Sequence, residues 1–329
     1  MQITATPEEF ALVRAFTISR GSRSVARVLS LRLDHQGISG WAECVPYARY
    51  GETMDSVMAQ IGAIETSLAG LNLADAKACD LRSALPAGAA RNVLDCALWD
   101  WRAKAVGRRV WDLLAMPAPM PVITAFTLSL DTPEAMEAQA RSAAARPLLK
   151  IKLGTADDMP RLEAVRRGAP HAVIIVDANE GWSADIYADL APNLLRLGVA
   201  LVEQPLPAGA DDMLAEIARP IPVCADESCH DCASLPALRG KYDMVNIKLD
   251  KAGGLTEALA LRDQARREGY GIMVGCMLGT SLAMAPAVLL AQGAGYVDLD
   301  GPLLLSEDRS KPLHYDAAGV HPPEAGLWG

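Results

Sequence analysis

The chain has no surplus of positive charge. Its 329 residues carry 31 Lys and Arg against 40 Asp and Glu, a formal net charge of −9. That leaves no electrostatic footing on the phosphates of nucleic acid or on an anionic membrane, and neither is an expected partner. Met1 to Phe10 holds two glutamates and no lysine or arginine, so the basic and apolar succession of a secretory signal is missing and a cytoplasmic location is expected. Cysteines are few and odd in number, seven in all; a chain of this size needs no disulfide staples, so reduced thiols are expected. Cys224, Cys229, His230 and Cys232 lie close in sequence. The Cys-x2-Cys there has no second distant pair, and Cys224 sits in an apolar run, which argues against zinc. Internal repeats and low-complexity segments are absent. The stretch Gly271 to Val297 lacks charge and is long enough to span a bilayer. Gly275, Gly279, Pro286, Gly293 and Gly295 punctuate it, however, and Asp298 and Asp300 close it, which suits a buried strand, a loop and a buried helix.

What is present is a large apolar fraction, 51%, with 22% charged residues, as in a globular chain larger than one average domain. Two rhythms divide it. Up to about Leu114, Val25 to Leu33 alternates as an antiparallel strand, Asp34 to Gly37 reads as a hairpin turn into Ile38 to Cys44, and Thr53 to Leu68 and Ala89 to Ala105 carry helical spacing with Gly107 as a stop. After the proline-rich linker Met116 to Pro121 come eight short apolar runs: Val122 to Leu128, Leu148 to Leu153, Ala172 to Val176, Val199 to Val202, Ile221 to Cys224, Met244 to Ile247, Gly271 to Val274 and Tyr296 to Leu299. Steps of about 25 residues suit strand-helix units, and eight of them predict a (β/α)8, TIM-like barrel. The expected division is an α+β unit over 1–115, a barrel over 120–300, and a mostly irregular tail over 301–329 that returns to the first unit.

Polar residues sit where these runs end. Asp177, Glu203 and Asp226 close three successive strands, so they converge on one barrel mouth and offer hard oxygen ligands to one Mg2+, with water and substrate completing the octahedron. Taken singly, each is as well explained as a helix N-cap or loop charge. Lys150 and Lys152 flank Ile151 in strand alternation and therefore face the same way, into the barrel if Leu149, Ile151 and Leu153 face the helices. Lys248 arrives from the sixth strand, across from the second. Two lysines on opposite faces of one substrate carbon suit removal of a proton from one side and its return to the other, with burial lowering a lysine pKa toward neutrality. The competing explanation is a structural network of lysines and acids.

These motifs resemble the enolase superfamily, in its muconate-lactonizing-enzyme subgroup: Lys150-x-Lys152, Val176-Asp177-Ala178-Asn179, Leu201-Val202-Glu203-Gln204-Pro205, Ala225-Asp226-Glu227-Ser228, and Asn246-Ile247-Lys248 before Lys251-Ala252-Gly253-Gly254. Gly40-Trp41-Ala42-Glu43 and Leu94-Asp95-Cys96-Ala97-Leu98-Trp99-Asp100 extend the similarity over nearly the whole chain. The resemblance implies that the first domain caps the barrel, that Asp177, Glu203 and Asp226 bind one Mg2+ per subunit, and that Lys152 and Lys248 are the acid/base pair. Lys150 would then help neutralise a substrate carboxylate. The common step would be removal of a proton next to a carboxylate, where a divalent metal stabilises the second negative charge.

The last strand narrows the substrate. Alternation sends Asp298 and Asp300 inward together, and two acids there favour a cation. A dipeptide brings a free α-ammonium, whereas muconate and N-acylamino acids bring none, so a cycloisomerase or an N-acylamino acid racemase fits less well. The Asp-x-Asp pair looks like the one dipeptide epimerases use. Similarity to the L-Ala-D/L-Glu epimerases runs through Arg20-Gly21-Ser22-Arg23-Ser24, Pro46-Tyr47-x-Arg49-Tyr50-Gly51-Glu52 and Ala225-Asp226-Glu227-Ser228-Cys229-His230. It implies that Lys152 and Lys248 exchange the glutamyl α-proton, Asp298 and Asp300 hold the alanyl ammonium, and Arg20 or Arg23 receives the side-chain carboxylate, in recycling of peptidoglycan peptides. A solvated loop is the plainer reading of the arginines. Thr124 and Cys276 are further candidates for substrate contact, with packing as the alternative. A non-catalytic protein on an inherited barrel would be expected to have lost a ligand or a lysine, and none is lost. Self-association into a homo-oligomer stays open.

Overall fold

The computed structural model describes residues 1–75 and 80–329. Its first unit is a three-stranded antiparallel sheet of β1 (Gln2–Ile18), β2 (Gly21–His35) and β3 (Ile38–Cys44), in that order. The alternating stretch Val25 to Leu33 lies within β2. The expected turn joins β2 to β3 through Gln36 and Gly37, whose φ values of 51° and 75° give a two-residue loop the twist that flanking strands require. β1 has no counterpart among the sequence expectations. Its alternation is interrupted by Pro7-Glu8-Glu9 and by a register shift between Ala11 and Phe16, so no clean period of two survives.

Two helices cover this sheet. Helix α1 (Met54–Ala69) begins with a capping box, in which Thr53 and Ser56 each satisfy the other's backbone N–H. Helix α2 (Ala89–Val106) stops at Gly107, whose left-handed φ of 64° supplies the C-terminal turn. β3 lies so close to α2 at Gly40 that a Cβ there would run into the Ala97 carbonyl and Trp101, so only glycine permits the approach.

The second unit is the eight-stranded parallel barrel. It comprises β4 (Phe126–Leu128), β5 (Leu148–Lys152), β6 (Val173–Asp177), β7 (Val199–Glu203), β8 (Val223–Ala225), β9 (Met244–Ile247), β10 (Gly271–Gly275) and β11 (Tyr296–Asp298), neighbouring in chain order. Ala125 N donates to Val297 O at 2.8 Å and joins the last strand to the first. All eight expected strands are present, with ends moved by a few residues. The first shrinks most, because Val122 forms a bridge with Val320 instead. The uncharged stretch resolves into β10, a helix over Ser281–Leu290 and β11; among the described residues no helix is long and apolar enough to cross a membrane.

The alternation along β5 has the expected consequence. Leu149, Ile151 and Leu153 join the main core, while Leu148, Ile175, Leu201 and Cys224 form a separate apolar cluster with Ala125 and Met273. These come from the inner positions of successive strands and fill the barrel below the lysines, as side-chain layers do in such barrels. At the tail, Trp328 Nε1 donates to Cys96 O at 3.0 Å and Gly329 N to Asp100 Oδ1 at 2.6 Å, so the chain ends against α2. Docking of α2 on the barrel uses Asp95, which accepts from Thr256 N and Oγ1 at 2.9 and 2.6 Å. Gly254, at φ 108°, leaves room for Asp95 where any Cβ would strike it.

Candidate active site

Asp177 and Glu203 end β6 and β7, and Asp226 follows β8. Their carboxylate oxygens lie within 4.8 Å of one another, and all three side chains are buried. Three like charges this close, out of water, require cations among them. Four buried lysines supply the nearest, Lys251 at 2.6 Å from Asp226 Oδ1 among them. Lys152 Nζ donates to Asp177 Oδ2 at 2.6 Å, Lys248 Nζ to Asp226 Oδ2 at 2.7 Å, and Lys150 Nζ lies 3.1 Å from Asp177 Oδ2 and 2.7 Å from Glu203 Oε2. Glu203 Oε2 nevertheless has no hydrogen bond, because Lys150 approaches it off the bonding direction. A buried carboxylate oxygen left without a hydrogen bond, in a group of three, is what an all-oxygen dication site requires of its ligands. The residues fit Mg2+.

Electrostatics differ from the sequence expectation in one respect. Burial pushes Lys248 downward, but Asp226 beside it outweighs burial and lifts its pKa well above the ordinary range; at Lys150 burial also pushes downward, and the charges of Asp298 and Glu203 outweigh it in the same way. At these two lysines the expected lowering does not occur. Among the acids, burial raises Asp177 and Asp226, yet the adjoining lysines win and hold both carboxyls below the usual range. Glu203 goes the other way. Burial and the Asp177 charge push it up to about 7.

Asp298 and Asp300 both reach the same cavity, of about 460 Å3, together with Lys150, Lys152, Lys248 and Cys276; that size is ordinary for a small-molecule site. Asp298 Oδ2 accepts from Lys150 at 2.7 Å. Asp300 accepts from Thr127 N at 2.6 Å, and burial with the neighbouring Asp298 charge lifts its carboxyl to about 7. One of the two acids is thus already paired and the other half-neutralised near neutral pH. Thr124, a candidate for substrate contact with packing as the alternative, is engaged in packing contacts here. Its hydroxyl accepts from Leu299 N at 2.8 Å and donates to Ala125 O, so it closes the barrel seam, while Thr127 faces the cavity in its place. Period two puts Thr127, the register partner of Lys150, on the inward face that Lys150 shares, three positions on from Thr124.

The roof comes from the first unit. Arg20 in the β1-β2 turn and Arg23 near the start of β2 line the mouth, and the Phe16 ring on β1 has its centre 5.8 Å from Lys152 Nζ. Arg20 is fully engaged: it donates to Asn179 O at 2.7 Å, Glu180 Oε2 at 2.9 Å and Glu227 Oε1 at 2.7 Å. Arg23 lies over the Tyr47 ring at 5.2 Å and lines the cavity. The loops beneath are held in unusual conformations. Asn179, Glu180 and Gln204, which follow Asp177 and Glu203, take φ of 45°, 66° and 35°, a region non-glycine residues occupy at a cost and mostly at functional sites.

Two residues carry more than their local sequence announces. Lys251 is buried and donates to Asp226 Oδ1 at 2.6 Å and Asn246 O at 3.0 Å, giving Asp226 a second fixed cation. Its signal is the three-residue step from Lys248 into the short helix Leu249–Ala252. Asn246 Nδ2 donates to Glu203 Oε1 at 2.7 Å and aims that carboxylate.

Comparison with known proteins agrees with this architecture. Residues 1–115 match the mandelate racemase / muconate lactonizing enzyme N-terminal domain, and residues 135–326 match the enolase C-terminal domain-like family. An L-Ala-D/L-Glu epimerase of Escherichia coli (strain K12) is 47% identical over 317 residues, covering 95% of this chain and 97% of its own. An N-acetyl-D-glutamate racemase of a Pseudoalteromonas species is 48% identical over 293 residues, covering 88% and 91%. Among solved structures, an enolase family member from Agrobacterium tumefaciens with homology to dipeptide epimerases, holding sodium and L-Ala-L-Glu, superposes with a TM-score of 0.95 at 51% identity over 99% of both chains. Capped barrel, carboxylate triad and lysines together match the family that these relatives share: the chain belongs to the enolase superfamily, in its mandelate racemase/muconate lactonizing enzyme branch.

Proposed function

We propose that the chain is a Mg2+-dependent epimerase of L-Ala-D/L-Glu dipeptides, with residues 120–300 as the catalytic barrel, 1–115 as its cap and 301–329 as a segment returning to the cap. The observation that carries this reading is the placing of Lys152 and Lys248. They sit four strands apart in an eight-stranded ring, each bonded to a different carboxylate of the same triad. Such a pair can take the α-proton from one face of a substrate carbon and return one to the other. Mg2+ on Asp177, Glu203 and Asp226 would supply charge stabilisation for the substrate carboxyl group. Lys150 balances charge between that triad and Asp298. Asp298 and Asp300 receive the alanyl ammonium, and Arg23, which has no carboxylate partner of its own among the described residues, is better placed than Arg20 for the glutamyl side chain. Recycling of peptidoglycan peptides in the cytoplasm is the setting we infer.

A second reading is supported by the Pseudoalteromonas relative: racemisation of an N-acylated glutamate. Both relatives act on a glutamate unit, so the two readings part at its amino side. An acyl group offers no positive charge to Asp298 and Asp300, while a dipeptide does. Initial rates on L-Ala-L-Glu and N-acetyl-L-glutamate, with Mg2+, decide between them. A higher kcat/KM on the dipeptide supports the first reading, and the reverse order replaces it with the second.

A further inference from the structure

We propose that His314, Asp316 and His321 form a second metal site, for a transition-metal dication of the Zn2+ type, on the outer face of the C-terminal hairpin. The hairpin pairs β12 (Tyr315–Asp316) with β13 (Gly319–Val320), Tyr315 opposite Val320. His321 N donates to His314 O at 2.9 Å, so the two histidines form the next cross-strand pair. Period two puts His314 and Asp316 on one face, and cross-strand pairing brings His321 to that same face. The opposite face is fixed to the barrel. Tyr315 OH donates to Leu299 O at 2.8 Å, and buried Val320 exchanges backbone hydrogen bonds of 3.0 and 2.9 Å with Val122.

The ligand atoms already converge. Asp316 Oδ2 lies 2.9 Å from His321 Nε2 and 3.4 Å from His314 Nε2, and one such atom from each residue lies within 4.8 Å of the others. Tetrahedral nitrogen and oxygen ligands at about 2.0–2.2 Å from Zn2+ stand roughly 3.3–3.6 Å apart, so only a small opening is needed. His321 Nε2 is buried from solvent yet makes no hydrogen bond, even with that carboxylate oxygen at hand. Asp316 Oδ1 is held by Ala318 N at 2.8 Å, which fixes the carboxylate and leaves Oδ2 facing the imidazoles. Two imidazoles with one carboxylate select Zn2+ and its neighbours over Mg2+ or Ca2+, which prefer all-oxygen sets. With the His314 side chain 69% exposed, the fourth position is open to water. All three ligands come from the hairpin, so an ion bound there clamps its two strands together beside the seam where the barrel closes.

The test uses full-length chain without a histidine tag, stripped by chelator, with excess Mg2+ present to occupy the carboxylate triad. Titration with Co2+, followed by its visible d–d absorption, reports geometry, and calorimetry with Zn2+ reports stoichiometry. The expected result is one tetrahedral site that raises the melting temperature. His314→Ala and Asp316→Asn should each weaken it by at least about tenfold, the loss that an outer-shell partner alone can cause. His314 is exposed, so its alanine variant should melt like the parent in metal-free buffer. Binding that is absent in the parent, or equal in stoichiometry and spectrum in both variants, overturns the site.

Discussion

Lys150 Nζ lies 2.7 Å from Asp298 Oδ2 and 2.7 Å from Glu203 Oε2. A single buried ammonium therefore joins Asp298, the acid proposed to receive the substrate amine, to the carboxylate triad. The negative charge at the end of the last strand is not free-standing, as its sequence alone implies, but shared through Lys150. Removing this lysine should be felt on both sides.

Lys150→Met would leave buried carboxylates without their common partner. Breaking a buried pair from one side costs about 3–5 kcal/mol, so the urea midpoint in metal-free buffer should drop markedly and dipeptide turnover should be lost. A variant as stable as the parent would show that the acids are neutral there and that Lys150 carries no such role.

Lys152→Ala and Lys248→Ala should each suppress epimerisation, by roughly 10²-fold or more if each serves as a general acid or base. Each variant should still exchange deuterium into one isomer, the one whose proton faces the surviving lysine. Epimerisation persisting in both variants would remove the two-lysine assignment.

Arg23→Ala and Arg20→Ala should separate. Loss of a charge-assisted hydrogen bond to a glutamyl carboxylate is worth about 1.5–3 kcal/mol, or roughly 10- to 150-fold in kcat/KM. Arg23→Ala should show that loss for L-Ala-L-Glu and little of it for L-Ala-L-Ala. Arg20→Ala, which frees Glu180 and Glu227, should depress both substrates alike. Equal selectivity in the two variants would contradict the division.

Asp250 sets a pH dependence of folding away from the triad. It accepts from Val45 N at 3.0 Å and Asn92 Nδ2 at 2.8 Å, and burial, with the charges of Glu52 and Glu43, lifts its carboxyl from 3.8 to about 7. Between those values the folded chain binds a proton that the unfolded chain does not. The contribution of Asp250 is therefore fully present below pH 3.8 and is lost as pH rises through about 7. Asp250→Asn keeps an oxygen for Val45 N and cannot ionise. Urea unfolding from pH 5 to 8 should show a flatter decline in the variant, and an unchanged slope would contradict the assignment.

Much of the barrel was legible because strands buried on both faces read as unbroken apolar runs, so that Asp177, Glu203 and Lys248 stand out where a run ends. The cap was legible in part. Val25 to Leu33 is legible because Leu29, Leu31 and Leu33 recur on the one face that joins the main core, though Ala26, Val28 and Ser30 behind them are buried too, whereas β1 is an edge strand with a proline and a register shift, and its pattern dissolves. The pairing of Arg20 with Glu180 and Glu227 spans 160 and 207 positions, and no local pattern encodes such a contact. Thr124 and Thr127 look alike in composition; only register at the closing seam separates the one that braces the barrel from the one that faces the cavity.

The central claim is that a proton is exchanged at the glutamyl α-carbon of a dipeptide. The most direct measurement is mass spectrometry and chiral separation of L-Ala-L-Glu incubated with the protein and Mg2+ in D2O. The account predicts conversion to L-Ala-D-Glu with one deuterium at the glutamyl α-position, and removal of Mg2+ should stop it. Dipeptide recovered unlabelled and unconverted, from folded and Mg2+-loaded protein, would contradict it.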